Sequence, residues 1–260
     1  MTARIAATFA SLGLALVAGC TSFYEIPIET PIQPKLDVSA FQRVLVAGFI
    51  AGGTEDVDTN LETVRLLRSQ LQSKSGLKVI DADVLPLAEI AADQARATGS
   101  DSQGSSDGDQ ESPLPAQIKD EKDLESYERL FANVNFWKRL GEEHQNPLIV
   151  TGTVLFTPHT RSGFVTREQE VYDSFGRRRI VPTRTYTERK GFILRPKFVF
   201  IDGRSGTTMY SESFREEVLY NAQQNTPALS SYFELMDRLL PSFLNTLSSQ
   251  KIRGTRILLK

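Results

Sequence analysis

Residues 41–80 read FQRVLVAGFIAGGTEDVDTNLETVRLLRSQLQSKSGLKVI. Residues 41–49 are rich in Val and Leu and end near Gly48, which predicts a buried strand. Thr59-x-x-Glu62 has the spacing of a capping box, in which the hydroxyl and the carboxylate satisfy free amides at a helix start. A helix over 59–75 follows, with Leu61, Val64, Leu66 or Leu67, and Leu71 on one face. Gly76 stands where a C-terminal cap belongs, and Leu77 to Ile80 gives a second strand. The stretch is therefore one β-α-β unit.

Downstream, composition changes. Residues 93–125 carry nine acidic and three basic side chains around the core TGSDSQGSSDGDQESP. Such a stretch buries too little apolar area to offset its ordering entropy, so 93–125 is expected to be a disordered acidic insertion. Order resumes with a helix over 124–143, where Tyr127, Leu130, Phe131, Val134, Trp137 and Leu140 recur at helical spacing. A strand at 147–156 follows. Residues 162–174 and 177–190 read as a long polar hairpin turning at Asp173-Ser-Phe-Gly176. Next come a strand at 191–202, a turn at Gly203–Gly206 and a partner strand at 207–218. Thr226-Pro227 matches a helix N-cap and first position, and Pro241 is expected to kink or split the helix beyond. Residues 256–259 suggest a short closing strand. The expected fold class is α/β, an α+β sandwich in which helices pack on a mixed sheet, plus the hairpin. Residues 41–260 are taken as a single domain.

The N-terminus reads as an address. In MTARIAATFASLGLALVAGC, Arg4 precedes an apolar stretch too short to span a bilayer. It ends at Val17-Ala18-Gly19-Cys20, and Cys20 is the sole Cys of the chain. This resembles the bacterial lipoprotein signal, cleaved before a Cys that is then acylated. The alternative is an ordinary secretory signal with an incidental Cys. The lipoprotein reading makes residues 1–19 a signal peptide and Cys20 the lipidation site (palmitate among its chains), with the bilayer as a partner. Thr21, in place of Asp, favours the outer membrane facing the periplasm. Residues 20–40, with Pro27, Pro31 and Pro34, are expected to form an extended, semi-rigid tether.

The 260 residues are 40% apolar and 24% charged, with 30 basic and 32 acidic side chains and a net charge of −2. This is ordinary globular composition, and it argues against a broad nucleic-acid surface.

Arg43-Val-Leu-Val-Ala-Gly-Phe, Leu140-Gly141, Leu148-Ile-Val-Thr-Gly152-Thr-Val, and Phe198-Val-Phe-Ile-Asp202 with Ser205-Gly206-Thr207 and Tyr210 carry a family likeness. The chain resembles curli-secretion and penicillin-binding-protein-activator lipoproteins and TolB N-terminal-like domains. Ser205 replaces the Thr usual in that turn. The resemblance implies a small α/β domain that works by protein contact in envelope assembly or regulation. It implies no chemistry of its own, so no enzyme is expected.

Few residues suggest catalysis. His144 and His159 have no second His at metal-ligand spacing. Gly48-Phe-Ile-Ala-Gly52-Gly53 with Asp81 faintly suggests a dinucleotide fold. However, Glu55, Asp56 and Asp58 would repel a pyrophosphate. Asp56-x-Asp58-x-Asn60 starts like a calcium loop, but Leu61 and Leu67 stand at its Gly and Glu positions. No cofactor or metal is expected. The hairpin at 161–190 holds eight basic residues against four acidic ones. Its Arg177, Arg178, Arg179, Arg184, Arg189 and Lys190 are the candidate partner-binding residues, for an unidentified envelope protein, lipid headgroups, an anionic polymer or the acidic insertion. The other reading, a solvated edge ribbon whose charges prevent aggregation, accounts for them without a partner and is the simpler of the two. Two other functions stay open: a homo-oligomeric secretion-pore subunit, and an envelope enzyme of unknown chemistry.

Overall fold

The computed structural model describes residues 23–100, 115, 117–248 and 250–259. The described residues fall into two compact units, a larger one within 36–247 and a smaller one from 23–35, 248 and 250–259.

In the larger unit, β2 (Arg43–Gly53) is followed by α1 (Thr59–Lys74) and β3 (Lys78–Ile80). This is the β-α-β unit legible in the sequence, and β2 pairs parallel with β3. β4 (Leu148–Tyr172) lies on the other side of β2, also parallel. β5 (Arg178–Asp202) pairs antiparallel with β4. The expected partner strand at 207–218 is broken in two: β6 (Thr208–Ser213) pairs with residues 197–201 of β5, and β7 (Glu216–Asn221) with residues 189–194. The sheet order is β3-β2-β4-β5-β6, with β7 beside β5.

Apolar residues alternate onto both faces of this sheet. Val44, Val46, Val150, Phe198 and Phe200 form a core with Val64 and Leu67 of α1 and with Leu235, Leu239 and Phe243 of α6 (Ala228–Leu247). Leu45, Ala47, Ile149, Val199 and Ile201 form a second core with Leu87, Leu124, Leu130 and Trp137. The result is a mixed sheet between helical layers, the expected α/β sandwich.

A bulge sets the phase of β2. Val46 pairs with Val150, but Gly48 pairs with Thr151, leaving Ala47 as the extra residue. Phe49 is thereby turned onto the face of Val44 and Val46, and Ile50 onto that of Leu45. Polar groups around the bulge are paired. The Ala47 carbonyl accepts from Leu85 N at 2.8 Å, Phe49 N donates to Asn60 Oδ1 at 2.7 Å, and Thr151 Oγ1 donates to the Gly48 carbonyl at 2.9 Å.

Several local expectations are corrected. The cap of α1 is Asp58, whose Oδ1 accepts from Leu61 N at 3.0 Å, and Thr59 is buried one position later. Ser75, not Gly76, closes the helix, donating to Leu71 O through both N and Oγ. The helix α6 runs on through Pro241 without a split. Pro241 and Asp237, whose carbonyl loses its partner, are both exposed, so water can serve that carbonyl. Inside the helical pair, the Tyr232 hydroxyl meets Thr63 Oγ1 at 2.6 Å, and burial pushes the phenol far above its usual range.

The expectation of a disordered insertion over 93–125 is corrected at both ends. A helix missing from the sequence reading, α2 (Leu87–Ser100), runs through its first residues, with Leu87 and Ala91 buried against the second core. At the far end, Ile118 and Leu124 are buried in the same core. Residues 101–114 and 116 lie outside the described residues. The single helix expected at 124–143 is three: α3 (Glu121–Glu125), α4 (Glu128–Ala132) and α5 (Val134–Glu143). Asn133 makes the second break. Its side-chain oxygen accepts from Phe136 N, so the residue caps α5 in place of continuing α4. The buried Trp137 indole then donates to Leu130 O at 2.9 Å, on the end of α4.

The smaller unit corrects the tether. Residues of β1 (Phe23–Ile32) are extended, as expected, but paired antiparallel with β8 (Gln250–Leu259) over ten positions. Pro27 and Pro31 are four apart, so their missing amides fall on one edge of the ribbon, where they can remain outside the ladder. The closing strand is thus longer than 256–259 and belongs with the N-terminal segment, not with the single 41–260 domain.

Candidate functional site

The polar hairpin is not a separate element. β4 and β5 each run 25 residues and stay in register from Leu148↔Asp202 to Tyr172↔Arg178. Their first part is the centre of the sheet. Beyond Arg161↔Arg189 the neighbouring strands end, and the pair continues as a two-stranded arm. Twelve residues at ~3.3 Å each give the arm about 40 Å of length.

Asp173 builds its tip. Its Oδ1 accepts from Phe175 N and Arg177 N, each at 2.9 Å, and its Oδ2 lies 3.2 Å from Arg177 Nε and 3.5 Å from Arg179 Nε. Gly176 takes φ +73°, a left-handed position in a turn that β-carbons disfavour. Phe175 is 80% exposed at the apex, with the Arg177 guanidinium 5.4 Å from its ring centre.

Directly opposed residues share a face of the ribbon and alternate along it. One face pairs Phe164 with Tyr186, Thr166 with Arg184, Glu168 with Pro182, Glu170 with Ile180 and Tyr172 with Arg178. The Phe164 and Tyr186 rings meet edge to face at 5.3 Å, and the Arg184 guanidinium sits 4.5 Å over Phe164. Arg178 is ion-paired with Glu170, and Lys190 with Glu188 at 3.7 Å. All three glutamates of the arm are therefore on this face.

The opposite face pairs Arg161 with Arg189, Gly163 with Thr187, Val165 with Thr185, Arg167 with Thr183, Gln169 with Val181 and Val171 with Arg179. It carries no carboxylate. Arg179 reaches Asp173 at the tip, whereas Arg161, Arg167 and Arg189 make no ion pair among the described residues.

The six candidate residues are thus not one patch. Arg178, Arg184 and Lys190 share the aromatic face, Arg179 and Arg189 the other, and Arg177 belongs to the tip. Arg161 and Arg167 join Arg179 and Arg189. Neither face is apolar throughout, which does not suit a membrane-spanning strand pair. Cys20 lies outside the described residues.

The remaining candidates resolve into structural roles. The Gly48–Gly53 stretch is strand, not a phosphate-cradling turn. Asp81 lies 3.2 Å from Arg68 Nη1, and the same guanidinium donates to the carbonyls of Val46 and Ala82. Of the three acidic residues before α1, Asp58 is the cap, Asp56 accepts from Thr54 Oγ1, and Glu55 accepts from Gln117. His144 closes α5, and His159 Nε2 lies 3.5 Å from Glu217. Among the described residues no three metal-ligating side chains converge. One cleft was not legible in the sequence. It measures about 490 Å³, with Glu121, Glu125 and Glu128 among its lining residues together with Arg195, Lys197 and Arg215. Lys197 and Glu128 are ion-paired. Its residues come from segments some 70 positions apart, so no local spacing signals it.

No protein-family model and no curated protein matches the sequence. Several solved structures resemble the chain in part, the following two among them. Lipoprotein GNA1162 from Neisseria meningitidis matches 78% of this chain and 98% of its own, at 12% identity and a TM-score of 0.33. A homolog of the neuraminyllactose-binding hemagglutinin from Helicobacter pylori matches 86% of this chain and 92% of its own, at 11% identity and a TM-score of 0.34.

Proposed function

We propose that the chain is a lipid-anchored, non-enzymatic envelope protein that acts by protein contact, with the arm as its docking element. Acylation at Cys20 would hold it at the outer membrane, facing the periplasm. The sequence around Cys20 supports the anchor, because acyl chains retain a domain that lacks a spanning helix. Among the described residues, no helix is long and apolar enough to cross a membrane. The motif likeness to curli-secretion and penicillin-binding-protein-activator lipoproteins and to TolB N-terminal-like domains points to assembly or regulation of envelope machinery.

One observation carries the docking role: the two central strands leave the sheet as a ribbon solvated on both sides. A chain that needed only the sandwich would turn back near residue 160. On the aromatic face, Phe164 and Tyr186 are 61% and 57% exposed, with Arg184 stacked beside them. Aromatic and arginine side chains dominate the energetics of protein interfaces. The docking residues on this face are Arg178, Arg184 and Lys190 around those rings.

The test replaces residues 163–187 by a two-residue turn in the full chain and places a photo-crosslinking amino acid at Tyr186 in the intact arm. The shortened chain is expected to keep its thermal midpoint within a few degrees and its palmitate label at Cys20. The intact arm should give a defined crosslinked protein that competition by unlabelled intact chain removes and the shortened chain does not. A shortened chain that fails to fold, or an arm that crosslinks nothing in intact cells, would overturn the reading.

A further inference from the structure

We propose that the carboxylate-free face of the arm, centred on Arg161, Arg167 and Arg189, is a binding surface for the phosphate headgroups of an anionic lipid bilayer. The inference rests on the anchored reading only in that the anchor would keep a bilayer within reach. The face itself is separate from the aromatic docking face.

Charge placement is the first argument. The arm has four acidic residues, and alternation puts Glu168, Glu170 and Glu188 on the aromatic face while Asp173 stays in the turn. Four arginines occupy the other face with no glutamate among them, and only Arg179 reaches a carboxylate, that of Asp173 in the turn. Arg161 and Arg189 are directly opposed, and like charges at such a position repel. A ribbon built only to stay soluble would interleave its charges, as the aromatic face does with three glutamates against Arg178, Arg184 and Lys190. Among the described residues neither Arg161 nor Arg189 has an ion-pair partner to offset the repulsion, and an anion lying between them would.

The chemistry of the side chains is the second argument. All four cations are Arg, whose planar guanidinium offers paired donors to phosphate oxygens. Thr183, Thr185 and Thr187 lie between them; Thr183 and Thr187 make long hydrogen bonds of 3.4 Å to Gln169 Oε1 and the Gly163 carbonyl, which a phosphate oxygen can replace. Val165, Val171 and Val181, each at least 40% exposed, give the same face an apolar component suited to the headgroup boundary. A two-stranded ribbon some 40 Å long, without a pocket of its own, also fits a sheet of headgroups better than a compact solute.

The closing experiment uses the whole chain from residue 20 with Cys20→Ser, so that no acyl chain contributes. Two triple variants remove the same charge from opposite faces: Arg161→Gln/Arg167→Gln/Arg189→Gln, and Arg178→Gln/Arg184→Gln/Lys190→Gln. Binding is measured by flotation with vesicles of phosphatidylethanolamine and phosphatidylglycerol, and with neutral phosphatidylcholine vesicles. The unsubstituted face should bind the anionic vesicles and release them when salt is raised, because exposed charges are screened. A cation near an anionic surface contributes about fivefold in affinity, so the first variant should lose on the order of a hundredfold. The second should retain vesicle binding while losing the Tyr186 crosslink. The six substituted residues of the arm are exposed, and an unchanged thermal midpoint verifies folding.

Equal losses in both variants would reduce the effect to net charge and overturn the proposal. So would equal binding to neutral vesicles. An unsubstituted chain that ignores anionic vesicles, combined with loss of protein crosslinks in the first variant, would make the face a protein site. The docking reading survives each of these outcomes, since the Tyr186 crosslink measures it separately.

Discussion

β4 and β5 form one uninterrupted ladder whose two halves are held in different ways. In the inner half, Leu148 to Phe156 faces residues 194–202, and apolar side chains point into a packed layer on either side. In the outer half, Arg161 to Tyr172 faces residues 178–189, and every rung but Gly163↔Thr187, which is half-buried on both strands, is exposed on at least one strand. Backbone hydrogen bonding is the same in both. The inner half is specified by burial, and the outer half by turn chemistry and cross-strand pairs worth a fraction of a kcal/mol each. A strand can therefore continue well past the core that nucleates it, and the excess is free to carry function.

The sharpest test sets equivalent aromatic truncations against each other. Phe198 is fully buried, with Phe49, Phe214 and Phe243 around it at centroid distances of 4.8 to 5.9 Å. Phe198→Ala should cost about 3–5 kcal/mol through lost burial and the cavity left behind. Phe164→Ala, on the arm, should cost under about 1 kcal/mol, chiefly the lost contacts with Tyr186 and Arg184. Chemical denaturation of both variants reads the difference. A Phe164→Ala loss comparable to that of Phe198→Ala would mean that the arm belongs to the cooperative core.

A second contrast adds a methyl group in place of removing a ring. Gly152 sits on an inner rung at φ +146°, and a β-carbon there would fall 1.8 Å from the Lys197 carbonyl oxygen. Gly152→Ala must open the β4–β5 rung or shift a strand, at about 1–3 kcal/mol. A β-carbon at Gly163, on the arm, meets nothing within 4 Å. Gly163→Ala should change stability by no more than about 0.5 kcal/mol. Thermal midpoints of the two variants make the check, and a neutral Gly152→Ala would show that the inner ladder is looser than its packing implies.

What the sequence made legible follows the same division. Val44 to Ala47, Leu148 to Phe156 and Phe198 to Ile201 stand out because burial on both faces selects continuous apolar runs. The Asp173-Ser-Phe-Gly176 turn was legible because its chemistry is local. The helix at Leu87–Ser100 was not, since Leu87 and Ala91 are the buried residues among its described side chains and its Thr98-Gly99-Ser100 end blends in composition into the insertion. The breaks between 121 and 143 also stayed hidden, because three short helices can present the same apolar spacing as one long helix. Only Asn133 signals the capped break. The continuity of β4 past residue 157 was missed because polarity changes where the core ends, although the ladder does not. The charge-segregated faces of the arm were within reach. Once the turn fixes the register, every opposed pair follows by counting, and the glutamates fall on one side.

The smallest expected effect concerns that turn. Asp173 holds the tip through two backbone amides and two guanidiniums, and none of these contacts touches either core. Asp173→Ala removes the acceptor that makes the turn mimic a longer backbone loop. Nothing becomes buried without a partner, because water reaches the tip. The cost is then the modest net value of its hydrogen bonds, about 1 kcal/mol, felt only by rungs that open with the tip. Amide exchange along 164–172 and 178–186 should accelerate roughly fivefold, while exchange at 148–156 and the thermal midpoint stay unchanged. If the midpoint fell with the arm, the two halves of the ladder would unfold as one cooperative unit. The arm would then be a structural extension of the sheet, and the separation of burial from function along β4 and β5 would fail.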